Sequence, residues 1–162
     1  MSGCNYLYSE NSVHASGLFL IFFNITFNSP DQARMVLSSF QKYDNDFIEK
    51  TNKILINNST NESTFEEYDK LTKEYGFTEI RQGNLGICGG RQLAAEHFKD
   101  SNADYMFFFE DDMLLDYQGY CPFGFSKHIN KLYDHVIKIM NKERYDFLKF
   151  SFSEFYGNNG EQ

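Results

Sequence analysis

The chain has 162 residues, enough for one domain that buries a core without disulfides or a structural metal. Its net charge of -8, from 23 acidic and 15 basic side chains, leaves no basic face for nucleic-acid phosphates and excludes a nucleic-acid partner. Aromatics make up 18% of the residues, with 18 Phe, 11 Tyr and no Trp, so the core is expected to rest on Phe and Tyr as much as on Leu and Val. The three cysteines, Cys4, Cys88 and Cys121, show no CxxC spacing, which predicts free thiols and a cytoplasmic location. Leu18 to Phe23 is too short an apolar stretch to span a bilayer, so no transmembrane segment is expected. The Asn-x-Ser/Thr triplets at Asn24 and Asn61 read as coincidence in an Asn-rich chain.

Residues 1–16 have no periodicity and read as a flexible N-terminal arm. Leu18 to Phe27 is a near-continuous apolar run, the pattern of a strand buried on both faces. Ser29 and Pro30 then fit a helix N-cap and first turn, and Ala33, Val36, Leu37 and Phe40 repeat with helical period. Lys53 to Ile56 makes a second strand, followed by the polar turn Asn57, Asn58, Ser59, Thr60, Asn61. Ser63 and Glu66 have capping-box spacing for a helix through Tyr68 and Leu71 that stops at Gly76. Phe77 to Arg81 is a third strand, and Gly83 to Gly90 a glycine-bearing loop ahead of a helix over Arg91 to Lys99. Asp104 to Phe109 is a fourth strand, ending in the acidic triplet Glu110, Asp111 and Asp112. An irregular loop over Tyr117 to Phe125, a helix marked by Ile129 to Met140 and an aromatic strand over Phe147 to Phe155 complete the order.

Strands alternating with helices predict an α/β domain with a mostly parallel sheet flanked by helices. In such folds ligands bind beyond the C-terminal ends of the strands. Asn28 with Ser29, Asn57 to Thr60 and Glu110 to Asp112 all fall at that edge, so they are predicted to converge. Three adjacent carboxylates repel one another unless a positive group intervenes, and hard divalent cations take such oxygen ligands. A solvated acidic turn is the alternative for the triplet, and tight helix packing is the alternative for Gly89 and Gly90. A response-regulator phosphoacceptor site would need acids after the first strand, where this chain has Asn28 and Ser29.

Asn84, Leu85 and Gly86, then Gly90, Arg91 and Gln92, then Glu110 to Asp112, stand in the order seen in the nucleotide-diphospho-sugar transferases of the GT-A fold. Over residues 17 to 116 the chain resembles glycosyltransferase family 2, with departures at Asn57 and Asn58 in place of Asp, Glu110 in place of the first Asp, and Gln92 in place of Asn. The resemblance implies one GT-A-like domain over 17–162 that binds a UDP- or GDP-sugar through Mn²⁺ or Mg²⁺. It implies transfer of the sugar to a hydroxyl acceptor, a glycan by analogy, with inversion.

It implies Asp112 as metal ligand with Glu110, directly or through water, and Asp111 near the sugar. Asn28, Asn57, Asn58, Gly89, Gly90 and Arg91 would lie around the nucleotide and diphosphate, with Asn84 ordering the loop. Glu154, within the last strand, is the candidate general base. Only 50 residues follow Asp112, which predicts a short or incomplete acceptor half. The alternative function is therefore a non-catalytic nucleotide-sugar-binding module.

Overall fold

The computed structural model describes residues 19–115, 131–143 and 146. The order is β1 (Leu20–Thr26), α1 (Pro30–Tyr43), α2 (Asn45–Lys50), β2 (Asn52–Asn57), α3 (Phe65–Tyr75), β3 (Thr78–Arg81), α4 (Gly86–Lys99), β4 (Tyr105–Glu110) and α5 (Leu132–Glu143). The four strands form one sheet in the order β3-β2-β1-β4, and every pair is parallel. Successive crossovers step from β1 to β2 to β3, and the next returns over the sheet to place β4 beside β1. The chain is an α/β domain of Rossmann-like form, as its alternating pattern predicts.

Every residue of β1 is buried, which is why its sequence is continuously apolar rather than alternating. Leu20 and Phe22 face the larger core with α1, α2, α3 and α5, while Ile21, Phe23 and Ile25 face α4 through Ala94. The larger core is an aromatic cluster: the Phe22 ring lies 5.1 Å from Phe40, 5.3 Å from Phe47 and 5.4 Å edge-on from Phe109. Such tilted and edge-to-face pairs add to the area buried, and they bear out the Phe-rich core expected from composition. Asn24 and Thr26 are the polar members of β1; the Asn24 amide is wholly buried, and neither its nitrogen nor its oxygen has a hydrogen-bond partner.

Three local expectations change. Helix α2 was not predicted, because six residues hold too few periods to register; Asp44 opens it by accepting from Phe47 N–H, and Phe47 and Ile48 bury its inner face. Ser63 and Glu66 do not form the capping box. Asn61 instead accepts from Ser63 N–H at 3.2 Å and Ser63 Oγ–H at 2.8 Å, building a short 3-10 turn over Glu62–Thr64 before α3. Helix α4 starts at Gly86 rather than Arg91, so the glycines at 89 and 90 lie inside it. Gly76 ends α3 in the left-handed conformation, φ 71°, as predicted. Residues 1–18, the loop at 117–125, the aromatic segment 147–155 and Glu154 lie outside the described residues.

Candidate functional site

With all strands parallel, Thr26, Asn57, Arg81 and Glu110 end at one edge of the sheet. The strand order reverses between β1 and β4, since β2 and β3 lie to one side of β1 and β4 to the other, and in such sheets a crevice opens beyond the strand ends at that point. A cleft of about 320 Å³ lies there. Ile25 and Thr26 at the end of β1, Phe27 just beyond it, Asn58, Asn84, Gly86 at the start of α4 and the acidic triplet all line it. Phe27 and Ile87 are exposed at this cleft, an apolar flank beside its acids.

The three acids do not crowd one point. Glu110 accepts from Arg91 Nε–H at 3.0 Å and from a second guanidinium N–H, both on Oε1. Asp111 turns toward β1, where Oδ2 accepts from Thr26 Oγ1–H at 2.8 Å and Phe27 N–H at 3.2 Å. Burial pushes the Asp111 carboxyl above its ordinary value, and these two hydrogen bonds pull the other way. Asp112 stays exposed. Mutual repulsion is thus relieved by dispersing the acids onto three different surroundings. Among the described residues no three His, Cys, Asp or Glu side chains form a group that could hold a metal ion.

The donor set still fits a hard cation of the kind that completes its shell with water and substrate. Mg²⁺ is commonly held by one or two carboxylates together with substrate phosphates. Asp112 and Glu110 line the cleft, and the Arg91 contacts of Glu110 fall on one oxygen only.

The asparagines divide into three roles. Asn28 has φ 51°, a conformation Asn tolerates better than most residues. Its Oδ1 accepts from Thr60 and Asn61 N–H, both at 3.0 Å, and its own N–H donates to Ser59 Oγ at 2.7 Å. It ties the turn after β1 to the turn after β2. Asn57 is buried, donating to Glu79 Oε1 at 2.7 Å and accepting from Ser59 N–H at 2.9 Å, so both ends of its amide serve the scaffold.

Asn58 is the one of these three that lines the cleft. Its Nδ2 donates to the Gly86 carbonyl at 3.2 Å, which fixes the amide orientation and leaves Oδ1 buried without a partner. Asn84 accepts from Gly86 N–H at 2.8 Å and so shapes the entry to α4.

The two glycines sit in close packing. A methyl group at Gly90 would fall 2.8 Å from Asn58 Nδ2 and 3.1 Å from Ile25 Cδ1, and one at Gly89 would fall 2.7 Å from Leu85 Cβ. Gly89 is thus closely packed against Leu85 just ahead of the helix, and Gly90 against the turn after β2 and the end of β1. Arg91 contacts Glu110, which matches a brace for the acidic turn. Sequence reasoning missed Thr26 and Tyr68. Thr26 reads as one more β-former in an apolar strand and Tyr68 as one more position on the inner face of a helix.

Neither the models of known protein families nor the curated proteins contain a match to this chain. The fold and cleft define its class: a Rossmann-like α/β protein with an acidic cleft at the switch point of its sheet. No helix among the described residues is long and apolar enough to cross a membrane.

Proposed function

We propose that the chain binds a nucleoside-diphosphate sugar through Mg²⁺ or Mn²⁺ and transfers the sugar to a hydroxyl acceptor, as a GT-A-type glycosyltransferase. The observation that carries this reading is the cleft between the ends of β1 and β4, which Asp111, Asp112 and the Arg91-braced Glu110 line together. Its volume of about 320 Å³ is at the lower end of small-molecule sites. A cleft lined by three acids on a chain of net charge -8 repels an anionic diphosphate, so a cation is needed to bring the two together.

When bound, a divalent cation neutralises charge developing on a diphosphate leaving group. The residues of the chain would divide the remaining work. Asp112 and Glu110 would hold the ion, Arg91 would keep Glu110 oriented and add positive charge beside the leaving group, and Asp111 would accept from a sugar or ribose hydroxyl. Asn58 Oδ1 would take a donor group of the ligand. The general base assigned to Glu154 belongs to this reading and lies outside the described residues.

The test is a thermal-shift series of UDP, GDP and their sugars with and without Mn²⁺, followed by an assay for release of nucleoside diphosphate. Stabilisation only when metal and nucleotide are both present, with turnover of one donor, supports the glycosyltransferase. Metal-dependent stabilisation without turnover identifies the binding module instead. No shift with any nucleotide refutes both.

A further inference from the structure

Asp111 is tied to the core by a chain of hydrogen bonds whose proton directions are determined. Ser29 N–H donates to Tyr68 Oη at 2.9 Å, and Tyr68 Oη lies 2.7 Å from Thr26 Oγ1. Thr26 has one hydroxyl proton, which it donates to the Asp111 carboxylate, Oγ1 lying 2.8 Å from Oδ2. Tyr68 must therefore donate to Thr26. The order runs Ser29 N–H to Tyr68 Oη, Tyr68 O–H to Thr26 Oγ1, Thr26 O–H to Asp111 Oδ2, joining the residue that caps α1, helix α3, the end of β1 and the turn after β4.

Tyr68 and Thr26 are both buried, while Asp111 is the half-buried end that lines the cleft. Buried hydrogen bonds polarise their neighbours, so each member of such a chain strengthens the next. The Thr26 bond and the Phe27 N–H bond both end on Oδ2, and Oδ1 takes neither. Without the chain, a carboxylate beside Asp112 would relax toward water and away from its like-charged neighbour.

We infer that Tyr68 and Thr26 are positioning residues, which hold the Asp111 carboxylate against the end of β1 and so present its second oxygen to the ligand. The inference rests on the functional reading above for what that ligand is. Tyr68 acts through Thr26 and touches no ligand, so its effect should vanish with loss of the hydroxyl alone.

The experiment titrates UDP with Mn²⁺ into the full chain and into Thr26→Val, Thr26→Ser and Tyr68→Phe by calorimetry, with thermal unfolding of each. Thr26→Val keeps the shape and removes the donor, Thr26→Ser keeps the donor, and Tyr68→Phe removes only the far hydroxyl. Loss of about ten- to a hundredfold in affinity for Val and Phe, with Ser recovering most of it, supports the inference; partners one shell out from a ligand commonly matter on that scale. Lowered melting temperatures with unchanged affinity would overturn it and reduce the chain to scaffolding.

If the parent protein does not bind UDP, the functional reading falls and the relay is decided in the ligand-free protein. The Thr26 hydroxyl proton should then be visible by NMR in slow exchange and lost in Tyr68→Phe. Its persistence in that variant would overturn the relay.

Discussion

Gly90→Ala should destabilise the fold although it replaces glycine inside a helix. In the interior of α4 the exchange by itself favours the folded state by about 1 kcal/mol. The new methyl group meets Asn58 Nδ2 at 2.8 Å and Ile25 Cδ1 at 3.1 Å, and neither neighbour can withdraw cheaply. Asn58 is only 4% exposed and anchored to the Gly86 carbonyl, and Ile25 belongs to the buried central strand. Overpacking of this kind costs about 1–3 kcal/mol. Breaking the Asn58 bond leaves a buried N–H unpaired beside an Oδ1 that already lacks a partner, which adds about 1–3 kcal/mol.

The unfavourable terms win, with a net loss of about 3 kcal/mol. For a chain of this size that corresponds to a melting temperature lower by about 6–12 °C. Thermal or urea unfolding followed by circular dichroism measures it directly. Gly83→Ala is the control, since glycine there has φ 72° and open space around it, so its cost is conformational alone, about 1–2 kcal/mol. A Gly90→Ala protein as stable as its parent would refute the claim that this glycine is required by the contact between α4 and the turn after β2.

Asn24→Val should stabilise by about 1–2 kcal/mol, because a wholly buried amide with no partner gives way to a β-branched apolar side chain between Leu55 and Phe109; a fall in the urea midpoint would count against this. Arg91→Ala should leave stability within about 1 kcal/mol, since the side chain is 53% exposed, yet weaken metal-dependent UDP binding; unchanged affinity would confine Arg91 to a surface ion pair. Burial holds the Asp44 carboxyl above its ordinary value of 3.8, so the folded chain keeps that proton to higher pH than the unfolded chain does. Its contribution is full below 3.8 and lost as pH rises through the folded value, so the stability of the parent relative to Asp44→Asn should decline as pH rises from 3.8. A difference independent of pH in urea unfolding would refute that assignment.

Much of the scaffold is legible because period and punctuation are local properties. The continuous apolar run of β1 reflects burial on both faces, Pro30 opens α1 and Gly76 closes α3, and each can be read within a few residues. Convergence of three polar turns at one sheet edge is also predictable, because parallel strands place all their C-terminal ends together. Short elements were not legible: α2 is specified by Asp44 and by the burial of Phe47 among rings from β1, α1 and β4.

The sequence by itself determined the α/β alternation, the acidic strand end and the order of Gly86, Arg91 and Glu110 to Asp112. Only the tertiary structure decided what each polar residue does. Asn28 and Asn57 are polar side chains at the ligand-binding edge of the sheet, yet their amides are committed to the neighbouring turn and to Glu79 of β3, while Asn58 alone of the three reaches the cleft. The acidic triplet is contiguous in the chain but divided in space among Arg91, Thr26 and solvent. The physical reason is that a hydrogen bond depends on where two groups lie. Tyr68 is 42 residues from Thr26, and no local pattern records that their hydroxyls meet.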